Sequence, residues 1–460
     1  MAAEPSRTST PPSPGAWTGR PAGVPSGVPP PSVPLSFLAA ASFGLVACGV
    51  AFLLARGSGI PDPTTNPIVA ATHFGVLATL SMGVLGAMHQ FTPVITGRPL
   101  RSIQLARATF LTWLAASWML PLGIATDQVT VTAISGALAA LAIALLVVNF
   151  IGPLSVRGKG TPVTGLRFAL AGSVVTACLG AAFVGDRQGN WFDMTGHVEV
   201  TMAVVGLFGW LGITYVAVAE KLWPMFFLAH VPGRHLAGRI AVWMVPIGVV
   251  VLSSGLLLNL GGLAWGGAVV LSAGLGSHLV SLAAHVRHRR RKADLHLVFV
   301  VTSAIWLLVG AGLSLAGALV MPHDQVFGMA FVAAALVAFG GWLLTALVGH
   351  AHKVVPFIVW AALRGRGVQK NPAGKPLVFA DLYDHRWAGI TYALVTAGIA
   401  GLCIGFAASL AGAVAVGGGL LVATGLVVAA NLSIAPICLL ATAPGTVGAK
   451  RPDDQNAELA

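Results

Sequence analysis

Twelve apolar segments follow one another between residues 34 and 442, and each can cross a bilayer as a helix. A helix needs about 20 apolar residues to span roughly 30 Å of hydrocarbon. Only 9% of the residues are charged, against about 25% in an average soluble domain. The sequence therefore predicts an all-α polytopic membrane bundle of twelve transmembrane helices, and it excludes a soluble enzyme. The predicted spans are 34–55, 66–92, 104–125, 129–153, 165–184, 195–222, 237–259, 262–285, 295–320, 326–350, 386–410 and 413–442.

Two polar tails flank the predicted twelve-helix domain at 34–442. Residues 1–33 are rich in Pro, Ser and Gly and lack an apolar run, so we expect a disordered tail rather than a signal peptide. Residues 443–460 form the predicted C-terminal tail. With an even number of spans, both tails lie on the same side of the membrane.

Basic residues lie almost entirely in the connections at one end of the predicted bundle. Of the 26 Lys and Arg residues, only Arg56 and Arg187 fall in connections at the other end. Because positively charged loops remain on the cytoplasmic side, we predict a multi-pass plasma (inner) membrane protein with both termini in the cytoplasm. The basic run HVRHRRRKAD at 285–294 is then a topology determinant, and the lipid bilayer, not nucleic acid, is the expected partner.

Spans two, six and ten end alike, in AMHQFTPVI, VAEKLWPMF and GHAHKVVPFI. Aligning their prolines brings one polar residue of each span to a shared position, four residues before the proline: His89 with Pro93, Glu220 with Pro224, and His352 with Pro356. The motif thus recurs every four spans. This spacing predicts a pseudo-threefold repeat of four-helix units, with spans two, six and ten around the axis.

A first group of candidate residues lies toward the outer ends of spans two and six. His73 and His197 are expected at similar depth, and Glu199 follows His197 on a different helix face. Imidazole suits heme iron and copper, and an intramembrane histidine or acid is a functional hypothesis by default. The alternative is a capping or packing role near the interface.

A second group lies toward the cytoplasmic ends of the same helices. It contains His89, Glu220, His350 and His352, with His230 and His235 just beyond. These side chains can serve a metal or a proton path, or they can form an interfacial polar collar. His350 and His352 cannot both face one point on a regular helix. The histidines near other span ends and in loops are expected to be interfacial: His278, His285, His288, His296, His323 and His385.

Twelve spans, the three-unit repeat, histidines on spans two, six and ten, and HVEV at 197–200 resemble subunit I of the heme-copper oxidases. Glycine-spaced helices that end in a cytoplasmic proline are also similar to NnrS-type heme- and copper-containing membrane proteins. The resemblance implies heme and/or copper as cofactor, with His73 as a heme ligand and His197 as a copper ligand. It also implies a separate cytochrome or cupredoxin as electron donor.

The sequence departs from the oxidase pattern at several ligand positions. Span seven contains no histidine, Thr201 stands where the oxidases have a cross-linked tyrosine, and the outer histidine pair of span ten is missing. We therefore expect heme or copper binding without a complete binuclear centre, in nitric oxide or copper handling or as a respiratory accessory. Further cofactor-binding candidates are His89 and His352, and Glu199 is a further metal candidate.

Two other functions fit the same sequence. One is a proton-coupled transporter, in which Glu199 or Glu220 lies on the proton path. The other is a structural membrane protein without a cofactor. Bound heme or metal would distinguish the first hypothesis from both of these.

Overall fold

The structure is a computed structural model that describes residues 29–55, 62–158, 160–189, 196–231 and 236–441, without the side chains of 187–188, 196–197 and 435–441. The described residues contain twelve helices long and apolar enough to span a membrane, which confirms the predicted all-α bundle. We number them α1 to α12: Ser32–Leu54, Asn66–Thr96, Ile103–Ala125, Val129–Leu154, Thr161–Gly189, Gly196–Val204 continuing to Phe227, Leu236–Leu257, Gly261–Arg287, Leu295–Val320, Gln325–Gly365, His385–Ala407 and Ala411–Ala441.

The helix bounds differ most from the predicted spans at two helices: α5 continues to Gly189 instead of ending near residue 184, and α10 continues to Gly365 instead of ending near residue 350. Pro356 lies inside this helix and does not end it. The added turns bury Val359 and Leu363 against Leu377 and Leu382 of the following connection, and this packing holds the helix together beyond the proline. The predicted tails lie outside the described residues, apart from the short stretch before α1.

Helices α2, α6 and α10 form the centre of the bundle. Each of the three contacts the other two. In their most apolar segments 61%, 83% and 67% of the residues are buried, against 44% or less in the other helices. The three helices that share the proline motif therefore surround the predicted pseudo-threefold axis. The basic connections lie at one end of this bundle, which we call the basic end; the opposite end is the hairpin end.

The backbone of α2 repeats in α6. Each contains one π-helical segment, Phe74–Ser81 and Val205–Gly212, at the same distance before its internal proline. Each also ends in a left-handed residue whose amide donates to the proline carbonyl: Gly97 to Pro93 and Leu228 to Pro224. π-helical segments inside α-helices are uncommon, so their occurrence at the same position in α2 and α6 is evidence for a true structural repeat.

Three hairpins at the hairpin end share one geometry. They join α3 to α4, α7 to α8 and α11 to α12. In each, a turn residue takes positive φ, namely Asp127, Asn259 and Ser409. The next amide donates to a glycine carbonyl four residues before the turn residue, at 2.7 to 2.8 Å: Gly123, Gly255 and Gly405. A Cβ on any of these glycines would lie within 3 Å of the backbone of the next helix, so close hairpin packing requires glycine in every unit.

Candidate functional site

The proline motif and the hairpin turn recur in all three units, so residues at equivalent distances from them can be compared directly. Tyr215 and His350 occupy positions on α6 and α10 where the other central helices carry only Val, Leu or Ala. His278 on α8 corresponds to Leu146 and Val428, counted from the hairpin turns. Tyr215, His278 and His350 lie together between the second and third units, and each replaces an aliphatic residue of the other units.

These residues belong to a buried group that we call the histidine–aromatic cluster. Its members come from α6, α8, α9 and α10: Tyr215, Trp223, His278, His296, Trp342 and His350. Ring centroids are 4.8 Å apart for Trp223 and His278, 5.8 Å for Tyr215 and His350, and 4.9 Å for His296 and His350. The least buried histidine of the cluster, His350, is 8% exposed.

Three imidazole nitrogen atoms in the cluster have no hydrogen-bond partner among the described residues: His278 Nδ1, His296 Nε2 and His350 Nε2. The Nδ1 of His350 donates to the Ala346 carbonyl at 2.7 Å, so its Nε2 presents a bare lone pair. Each buried polar atom without a partner costs about 1–3 kcal/mol. Water, a proton or a metal ion at these atoms would supply the missing interactions.

His296 and His350 form the closest imidazole pair in the cluster. Their rings are nearly perpendicular, at 83°, and within the described part of the chain neither Nε2 atom has a hydrogen-bond partner. Their 4.9 Å separation lets two imidazoles share one ion at metal–nitrogen bonds of about 2.0 Å. Among the described residues, however, no group of three or more His, Cys, Asp or Glu side chains is arranged to hold a metal. A metal at this pair would keep open coordination positions.

Of the predicted outer group, His73 lies on α2, and His197 and Glu199 lie in the first turns of α6. When α2 and α6 are aligned by their π-helical segments, His73 corresponds to Val204. His197 precedes Val204 by seven residues. At 1.5 Å per residue, His197 is thus about 10 Å nearer the hairpin end, so the expectation of similar depth is wrong. His73 is half-buried and donates from Nδ1 to the Val69 carbonyl at 2.8 Å. The side chain of His197 lies outside the described residues, and Glu199 is exposed.

His89 and His352 occupy equivalent positions with equivalent neighbours. His89 stacks on Phe37 of α1 at 5.0 Å, and His352 stacks on Phe299 of α9 at 5.8 Å, both with planes 19° apart. Each donates from Nδ1 to the carbonyl four residues before it. His352 faces Phe299 and His350 faces His296, so both α10 histidines contact α9, one turn apart.

Glu220 takes the place that histidine has in the other two units. Its Oε1 accepts a hydrogen bond from Ser281 Oγ of α8 at 2.7 Å. Its other carboxylate oxygen lies against Gly238 of α7. Of the two histidines predicted just beyond it, His230 is exposed and His235 lies outside the described residues.

Three histidines predicted to be interfacial are buried instead: His278, His285 and His296. His278 and His285 lie on one face of α8, seven residues apart, and Trp223 of α6 covers that face. The seven-residue spacing of His278 and His285 in the sequence could have revealed that they share a helix face. His288, His323 and His385 are exposed, in agreement with the prediction. Asp186, predicted in a connection, lies buried in the last turn of α5 because that helix runs further than expected.

A scan against protein-family models finds no match for this chain, and a search of curated proteins finds no similar sequence. The oxidase and NnrS resemblance therefore stays a prediction. The features of this chain that bear on function are the geometry of the cluster and that of Glu220.

Proposed function

We propose that this chain is an integral membrane protein that binds heme iron or copper at the histidine–aromatic cluster and lacks a complete oxidase-type binuclear centre. The supporting observation is the buried imidazole of His350. Histidines that bind metals usually donate their second ring N–H to a carbonyl or carboxylate, which fixes the tautomer and directs a free lone pair at the metal. His350 has this arrangement with Ala346, and its Nε2 is otherwise unpaired in the described residues.

His296 and His278 would complete the donor set, because each has a buried ring nitrogen without a described partner. Imidazole donors suit both iron and copper. A bound ion would supply a redox-active Lewis acid with positions open to a small molecule such as nitric oxide. The protein side chains would hold the ion, exclude water through Trp223 and Trp342, and place the Tyr215 ring next to it. Electrons would come from a separate cytochrome or cupredoxin.

The proposal is tested by an optical spectrum and elemental analysis of the detergent-purified protein after expression with added heme and copper. We expect a Soret band or stoichiometric copper in the wild type, and its loss in His350→Ala and His296→Ala. His323→Ala is the matched control, because His323 is exposed. Loss in His73→Ala or His197→Ala instead would move the site to the oxidase-like positions. A colourless, metal-free wild type would refute the proposal.

A proton-coupled transporter is the second candidate, and the observation that favours it is Glu220. A carboxylate inside a spanning helix is costly and usually has a partner or a task. In reconstituted vesicles, a solute flux driven by a pH gradient and lost in Glu220→Gln would support transport. Intact flux in that variant would exclude Glu220 as the coupling residue.

A further inference from the structure

We propose that the connection between α8 and α9 binds the headgroup of an anionic phospholipid at the basic end. Five of the six residues at 287–292 are Lys or Arg, and all of them are exposed. One acidic residue, Asp294, follows them before α9 begins. Lipid binding here does not depend on a metal in the histidine–aromatic cluster, so the inference goes beyond the proposed function.

The backbone of this connection is held against the end of α6. The amides of Arg290 and Arg291 both donate to the carbonyl of Phe227, each at 3.2 Å. Because Phe227 is the last residue of α6, the two hydrogen bonds hold the connection across the end of a central helix. The C-terminal end of a helix carries partial negative charge, which favours basic residues there. The basic side chains therefore extend from a fixed backbone and not from a free loop.

Most of the basic side chains on this connection lack an acidic partner. In the described ranges, Arg291 alone of the five forms an ion pair, with Asp294 at 3.6 Å. Asp294 also accepts from Lys353 Nζ at 2.5 Å, and its Oδ1 caps the start of α9. Arg289 donates from one guanidinium nitrogen to the Val286 carbonyl at 2.9 Å and keeps its other N–H groups for a ligand. The one acid of the connection is thus already engaged, and it leaves the other cations without a counter-charge.

The equivalent connection in the repeat is less basic. It lies between α4 and α5 and joins the first unit to the second, as the α8–α9 connection joins the second unit to the third. Its residues 155–160 include two basic residues, Arg157 and Lys159. The positive-inside rule is already met by a connection of this kind. Topology alone therefore does not account for five basic residues within six positions.

The surroundings of the basic run fit a phospholipid better than a soluble anion. The run begins at Arg287, where the spanning helix α8 ends, so it lies at the depth of lipid headgroups. Clusters of four to eight Lys and Arg residues directly beyond a spanning helix attract anionic headgroups, and a guanidinium group binds phosphate through two parallel hydrogen bonds. At the adjoining end of α6, Met225 and Leu228 are exposed. These apolar side chains can contact the acyl chains of the same lipid, which a soluble anion does not have.

The proposal is tested by titrating the protein into fluorescently labelled phosphatidylglycerol in micelles of a neutral detergent and following fluorescence anisotropy. We expect the wild type to bind this lipid at least about tenfold more tightly than labelled phosphatidylcholine, and to lose the preference as salt is added. The triple variant Arg287→Gln, Arg290→Gln and Lys292→Gln should bind phosphatidylglycerol at least about tenfold more weakly, because it removes three charges near the headgroup. Within the described part of the chain these three side chains form no hydrogen bond or ion pair, so the variant should melt like the wild type in neutral detergent.

The matched control removes the same charge elsewhere at the basic end, by Arg366→Gln, Lys370→Gln and Lys375→Gln. These residues are exposed and lie in the connection after α10, and this variant should bind phosphatidylglycerol as the wild type does. Equal weakening in the two triple variants, or a wild type that binds both lipids equally, would overturn the site. Displacement of the labelled lipid by glycerol phosphate as readily as by unlabelled phosphatidylglycerol would assign the site to free phosphate and overturn the lipid. The measurement uses metal-free protein, so its outcome is independent of the test of heme or copper binding.

Discussion

Replacing Gly172 of α5 with alanine should destabilise the protein, because the added Cβ would meet backbone atoms of α6. Gly172 of α5 packs against the π-helical segment of α6, where the Gly209 carbonyl projects toward it. A Cβ on Gly172 would overlap that carbonyl oxygen and lie 2.5 Å from the carbonyl carbon. The obstacle is backbone, so no side chain can rotate away.

The magnitude follows from the overlap. Ordinary contact for a Cβ begins at 3.4 Å, so α5 and α6 must separate by more than 1 Å to admit the methyl group. Overpacking of this kind costs about 1–3 kcal/mol or more. The intrinsic gain from Gly to Ala in a helix is about 0.5–1 kcal/mol and offsets only part of that cost. We expect a net loss of roughly 1–2 kcal/mol at least. Gly44→Ala should behave alike, because its Cβ would overlap the Ala78 carbonyl.

The assay is the melting temperature of the detergent-purified protein, measured by loss of the monodisperse peak after heating. Gly276→Ala on α8 is the control, since nothing lies within 4 Å of the added Cβ. That variant should melt at or slightly above the wild-type temperature, because it keeps only the gain in helix propensity. If Gly172→Ala melts as high as Gly276→Ala, the close approach of α5 to the π-helical segment is refuted.

Three further results are expected. Asn431→Ala should cost about 1–3 kcal/mol in thermal unfolding, because it removes both hydrogen bonds to the Asp384 backbone; an unchanged melting temperature would contradict this. Leu228→Gly should raise stability by up to about 1–2 kcal/mol, because Leu228 is exposed and strained at φ +50°; a lower melting temperature would contradict it. Burial and the Asp294 carboxylate raise the pKa of Tyr383 above its ordinary value of 10.0. The folded protein therefore holds the phenol proton more tightly than the unfolded chain does, and the free energy of unfolding falls as the pH rises above 10.0. Tyr383→Phe should remove this part of the alkaline decline, and an identical decline would refute it.

The membrane architecture could be predicted because it depends on averages over long segments. The lengths of the apolar segments predicted all twelve spans. The proline motif shared by three of them predicted which helices lie at the centre. The end of α10 was missed because its continuation past Pro356 depends on contacts with Leu377 and Leu382, which lie beyond the helix itself. The two π-helical segments and the left-handed turn at Asp127 depend on local backbone geometry that residue patterns do not specify.

The candidate site was harder to predict because burial at span ends depends on neighbouring helices. His296 is the second residue of α9, where a helix normally meets the interface. It is buried because Phe226 and Phe227 at the end of α6 cover it, at 5.2 and 5.9 Å. The shared position of His89, Glu220 and His352 was visible in the sequence. Only their neighbours show that the two histidines face Phe37 and Phe299 while the glutamate faces Ser281.

Comparison among the units separates residues that hold the fold from residues with another task. Residues that stabilise the shared fold recur in all three units, as the hairpin glycines do. Tyr215, His278 and His350 occur once, and two of them leave buried nitrogen atoms unpaired among the described residues. Removing an unpaired buried polar group can be neutral or stabilising.

A variant that carries the residues of the other units, Tyr215→Leu, His278→Leu and His350→Val, should therefore fold and melt no lower than the wild type. It should also lose any heme or copper signal of the cluster. The loss of Tyr215 contacts with Ser303 and Trp223 is the main opposing effect, and leucine recovers part of that packing. A large fall in melting temperature would show that the cluster serves the fold, whereas retained stability with a lost signal would assign it to function.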